Sequence, residues 1–97
     1  MKITMVRYKV KADTVKANET ELKKVVEALE KAKPEDFRFT ALKLSDGVSF
    51  IAISQGDVKI LHEIEANKQH LAELEKRLDG EIVLEEVEEI GSYKLFE

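Results

Sequence analysis

Residues 2–10 (KITMVRYKV) alternate apolar and polar positions and carry β-branched and aromatic side chains, the pattern of a half-buried strand. Asp13 or Thr14 is placed to cap a first helix. Val15, Asn18, Leu22, Val25, Val26, Leu29 and Ala32 then recur at helical spacing until Pro34 ends the run. FRFTALKL (37–44) returns to alternation, with Phe37, Phe39 and Ala41 on one side and Arg38, Thr40 and Leu42 on the other. Ser45-Asp46-Gly47 is a tight turn, so VSFIAIS (48–54) is the second arm of a hairpin. Gly56-Asp57 opens a second helix whose stripe is Ile60, Ile64, Asn67, Leu71, Leu74 and Leu78, closed by Asp79-Gly80. IVLEEVEEI (82–90) fits either period; its β-branched content and Gly91-Ser92-Tyr93 favour a last strand with a bend or bulge near Gly91.

The order β-α-β-β-α-β defines two crossovers and one hairpin. It predicts a ferredoxin-like α+β domain over residues 1–97, a four-stranded antiparallel sheet with both helices on one face. Such a sheet has a second face with nothing of its own chain to cover it. A second copy is the simplest cover, so a homodimer is expected.

Composition narrows the function classes. There is no Cys, which removes thiolate catalysis, thiolate metal sites and disulfides. A net charge of −4 argues against a nucleic-acid or anionic-membrane surface. No apolar run is long enough to span a bilayer, and Met1 leads directly into the first strand, so a cytoplasmic protein is expected. The charged residues are dominated by 13 Lys over 3 Arg and 15 Glu over 5 Asp, a balance found in thermophile proteins and in designed chains alike.

Few residues carry chemistry. Asn67 and His70 stand three apart on the second helix, with His70 about 40° from Leu74 and roughly 60° from Asn67 around the helix axis. That puts both on the apolar side, where desolvation favours the neutral imidazole that a general base requires. Asn67 is then placed to orient the ring or to hydrogen-bond an oxyanion. Asn18 holds the matching inward line of the first helix and needs partners if buried. Tyr8, Thr40 and Ser54 are strand polar groups whose facing depends on register. His62-Glu63 begins a zinc-like pattern, but Ala66 stands where the second His belongs, and no metal is expected. The acidic run Glu85, Glu86, Glu88, Glu89 has no ligand loop; it reads as a charged strand edge, with Arg38, Lys43 or Lys94 as cross-sheet partners. No glycine-rich phosphate loop and no Ser-His-Asp arrangement is present.

VRYKVKADTVKANE, FRFTALKLSDGVSFI and EEIGSYKLF resemble the dimeric α+β barrel superfamily, near the antibiotic-biosynthesis-monooxygenase-like group, over nearly the whole chain. The hairpin Asp46-Gly47-Val48-Ser49-Phe50 and the ending Gly91-Ser92-Tyr93 carry most of the likeness, and neither is catalytic. The resemblance implies a sheet-to-sheet homodimer with a pocket in each subunit between sheet and helices. Activities in such a superfamily range from cofactor-free oxygenation of aromatics to haem degradation and simple binding. It also implies departures: Asn67 and His70 stand where relatives have an aromatic pair, and Ala52 stands where a strand His is common. The leading expectation is a homodimer with an apolar pocket for a small aromatic or apolar ligand. In it His70 would be base and Asn67 orienting or oxyanion group, with Asn18, Tyr8, Ala52 and Leu74 as ligand-binding residues. No cofactor is expected on this reading. A noncatalytic dimeric scaffold is the alternative, and haem held by His70 as axial ligand is the third; scarce Arg and few aromatics count against it.

Overall fold

A computed structural model describes residues 1–95. Strand β1 (Ile3–Lys9) runs through a single 3₁₀ turn (Ala12–Thr14) into helix α1 (Val15–Ala32). The hairpin β2 (Arg38–Lys43) and β3 (Ser49–Gln55) comes next, then α2 (Lys59–His62), α3 (Glu65–Arg77) and β4 (Val83–Val87). The sheet order is β2-β3-β1-β4, antiparallel throughout, so both crossover helices lie against one face. This is the ferredoxin-like α+β arrangement that the element order predicts.

Turn chemistry holds the hairpin. The Asp46 carboxylate accepts hydrogen bonds from the Val48 and Ser49 amides and from the Ser49 hydroxyl, while Gly47 takes φ +78°. Gly56, at φ +115°, ends β3 where any Cβ would lie 2.5 Å from the Asp36 carbonyl oxygen, so only glycine fits.

Strand alternation assigns the two faces. Thr4, Val6 and Tyr8 lie beside Ser54, Ala52 and Phe50, and Phe39 and Ala41 join them from β2, all towards the helices. The core there is Tyr8, Val10, Leu22, Phe50 and Leu74, with Val6, Val15, Ala41 and Leu78 packed around it. The Tyr8 and Phe50 rings stack at 5.7 Å. The opposite face carries Ile3, Met5, Leu42, Ile51, Ile53, Val83 and Val87, and no described element packs on it.

Several expectations need correction. The second helix is two pieces: Ile64 is extended (ψ 118°) and starts α3 afresh, its carbonyl accepting from the Asn67 and Lys68 amides. The break shifts the helical phase, so Leu61 and His62, not Ile60, join Leu71 along the inner wall, and Leu71 itself is half exposed. The N-cap position of α2 is Val58, one residue later than expected, while the Asp57 carboxylate accepts from the Lys59 amide at 2.9 Å. Neither Asp13 nor Thr14 caps α1 through its side chain; the Thr14 hydroxyl instead donates to the Lys11 carbonyl. The last strand ends at Val87, not Ile90, because Val87 pairs with Ile3, the first residue of β1. No bulge forms at Gly91; the chain bends just beyond it, at Tyr93 and Lys94. Arg38 and Lys43 lie on β2, at the opposite edge from Glu85 and Glu86 on β4, and Lys94 lies beyond the end of β4, so none of the three is a cross-sheet partner of these carboxylates. Lys43 pairs with Glu19 of α1.

Candidate functional site

Between the inner sheet face and α2–α3 lies a cavity of about 480 Å³, within the range of small-ligand sites. Its walls are mainly apolar: Val6, Leu22, Phe39, Ala52, Leu74 and Leu84 among others. Tyr8, Ser54, Asn67 and His70 line it too, so the strand register turns Tyr8 and Ser54 inward. Thr40 pairs with Ile53 and belongs to the other face. Ala52, flanked by Val6 and Ala41 on its neighbouring strands, keeps the middle of the cavity open.

His70 is buried, and its Nδ1 lies 2.8 Å from Glu21 Oε1 on α1. A carboxylate only accepts, so Nδ1 carries a proton, and in the neutral tautomer that this fixes the lone pair is on Nε2. Nε2 makes no hydrogen bond among the described residues, on a ring that lines the cavity. The same Glu21 accepts two hydrogen bonds from the buried Arg77 guanidinium, one at 3.0 Å and a second from NH2 to Oε1. Burial pushes the Glu21 carboxyl up, but the hydrogen bonds and charges of Arg77 and His70 outweigh it and hold it below its ordinary range. One carboxylate thus ties α1 to two turns of α3 and fixes the imidazole.

A second pair lies beside it. The Asn18 amide donates to the Tyr8 hydroxyl at 2.9 Å, and both residues are buried. Burial raises the Tyr8 phenol above its ordinary value, against the Asn18 hydrogen bond and the Arg77 charge. Tyr8 therefore keeps its proton, and with its oxygen already accepting from Asn18, that proton is free to be donated elsewhere. Asn18 does not line the cavity; it acts through Tyr8.

Glu21 and Arg77 are the members that reading the sequence missed. Both signals were present in the spacing: Glu21 follows Asn18 by three and Arg77 follows His70 by seven, so each falls on an inward helix line. Among the described residues no three His, Asp or Glu side chains converge as a metal site. Haem fits poorly here. The lysine lining the cavity is Lys2, beside Glu85 and Glu86, and Arg77 is engaged by Glu21, leaving little for two propionates.

No family model matches the chain, and no curated protein matches it in sequence. Solved structures do match. An antibiotic biosynthesis monooxygenase superposes with TM-score 0.72 at 11% identity, over 94% of this chain and 100% of its own. A protein of unknown function from Nitrosomonas europaea gives 0.70 at 16% identity, over 95% and 92%. A variant of SnoaB, a cofactor-independent oxygenase from Streptomyces nogalater, gives 0.61 at 20% identity, over 99% and 98%. The chain therefore has the ferredoxin-like α+β fold of the antibiotic-biosynthesis-monooxygenase-like proteins. At these identities the likeness is one of fold.

Proposed function

We propose that the protein is a homodimer whose subunits each bind a small, neutral, largely aromatic molecule and act on it by acid–base chemistry without a cofactor. The observation that carries this reading is the His70 ring, lining an apolar cavity with its Nδ1 held by Glu21. In this arrangement Nε2 takes a proton from an O–H or activated C–H of the ligand. The charge left on the ligand is met by a hydrogen-bond donor at the cavity wall, the Tyr8 hydroxyl. Cofactor-free oxygenation starts from such an electron-rich anion, and a structural neighbour with that activity supports the reading. The dimer reading rests on the bare apolar face opposite the helices.

The test compares 2-naphthol with its methyl ether, 2-methoxynaphthalene. The wild-type protein is expected to bind the naphthol about tenfold more tightly, one hydrogen bond's worth at a buried acceptor. His70→Phe is expected to abolish that preference while leaving Glu21–Arg77 and the fold intact by circular dichroism. A protein that binds neither compound, and that His70→Phe merely stabilises, is a scaffold.

A further inference from the structure

The cavity has polar groups at two places, and only one of them contains His70. Tyr8 and Thr4 are four residues apart on β1, so about 13 Å of strand separates their levels. Leu78, just past α3, bridges to Val10. The helix therefore runs with its end beside Tyr8 and its start towards Thr4. Asn67 lies about 4.5 Å nearer Thr4 than His70 does along the helix axis. On the sheet Thr4 is paired directly with Ser54.

These three residues are more than nine-tenths buried, with Thr4 at 8%, Ser54 at 7% and Asn67 at 5% exposure. All three line the cavity. The Thr4 hydroxyl oxygen is out of solvent and has no partner among the described residues. Neither the Ser54 hydroxyl nor the Asn67 amide makes a side-chain hydrogen bond among the described residues. An orphaned hydroxyl in an apolar wall costs stability unless something completes it, and the Ser54 hydroxyl and Asn67 amide beside it face the same cavity. The ionisable groups at this end, Lys2, His62, Glu85 and Glu86, are exposed. The buried groups are all neutral.

Resting on the proposed ligand cavity, we propose that Thr4, Ser54 and Asn67 form a second binding pole that selects ligands carrying an uncharged oxygen, hydroxyl or carbonyl, at the end remote from His70. A hydroxyl both donates and accepts, and a carbonyl accepts from all three residues. A carboxylate would enter without a buried cation and would pass Glu86, the neighbour of Thr4 on β4.

The experiment measures binding of 2-naphthol, 2,6-dihydroxynaphthalene and 6-hydroxy-2-naphthoate to the wild-type protein and to Thr4→Val/Ser54→Ala. The expected result is that the diol binds wild type about tenfold more tightly than 2-naphthol, and the naphthoate more weakly than either. In the double variant the diol and 2-naphthol should bind alike, with 2-naphthol itself retained as proof of an intact cavity. Should the double variant not fold, Ser54→Ala alone must narrow the ratio. A wild-type ratio near one, or a ratio the variants leave unchanged, overturns the pole while the His70 reading stands. If wild type binds none of the three, the cavity reading itself falls.

Discussion

Replacing Glu21 with alanine is expected to cost about 3 kcal/mol of folding stability at neutral pH, the lower part of the range for a broken buried ion pair. The Arg77 side chain is only 9% exposed, and without Glu21 its charge has no side-chain partner among the described residues. The His70 Nδ1 loses its acceptor in the same step. The cost stays at the lower end because the Glu21 side chain is itself 23% exposed, so water can enter the vacated space. The loss depends on pH in a defined direction. In the folded protein the Glu21 carboxyl is held below its ordinary value of 4.5. An unfolded chain then takes up the proton first, so the stabilisation is full above about pH 4.5 and fades as the pH falls towards the folded value. Urea denaturation of wild type and Glu21→Ala should therefore diverge at pH 7 and converge in acid. A difference that is the same at pH 7 and pH 3 would mean that the carboxylate's charge is not what holds the helices.

Arginine in place of Ile53 is the second large effect. Ile53 stands on the central strand β3, paired with Met5 and Thr40, on the face that no helix covers. In a lone subunit an arginine there reaches water easily and the fold should tolerate it. Across a two-fold interface the same change places charge from both copies in an apolar seam. The dimer dissociation constant is expected to rise at least about a hundredfold, roughly 3 kcal/mol, read by analytical ultracentrifugation. A wild-type monomer would contradict the homodimer. A variant that stays dimeric would move the interface to another surface.

The architecture was legible because it rests on patterns that survive without tertiary context. Alternation in KITMVRYKV and VSFIAIS gave two central strands, and Pro34 bounded the first helix. The break at Ile64 was not legible: no Gly or Pro marks it, and a helical stripe continues on both sides. Facing of the strand polar groups waited on register, which put Tyr8 and Ser54 inside and Thr40 outside. His70, Asn67, Ala52 and Leu74 lie around one cavity. Glu21 and Arg77 fall on inward helix lines, yet spacing alone does not mark them as buried, for a physical reason. Charged residues at the margin of an apolar stripe are usually solvated, and only the approach of two helices turns such a pair into a buried clamp.

Most direct for the central claim is a nuclear magnetic resonance titration of the protein with 2-naphthol, following assigned backbone and side-chain signals. Saturable shifts at His70, Asn67, Ala52 and Leu74, with Ile51 and Ile53 unmoved, are the result expected of a ligand in the cavity between sheet and helices. No saturable shift, or shifts confined to Ile51 and Ile53 on the outer face, would contradict it.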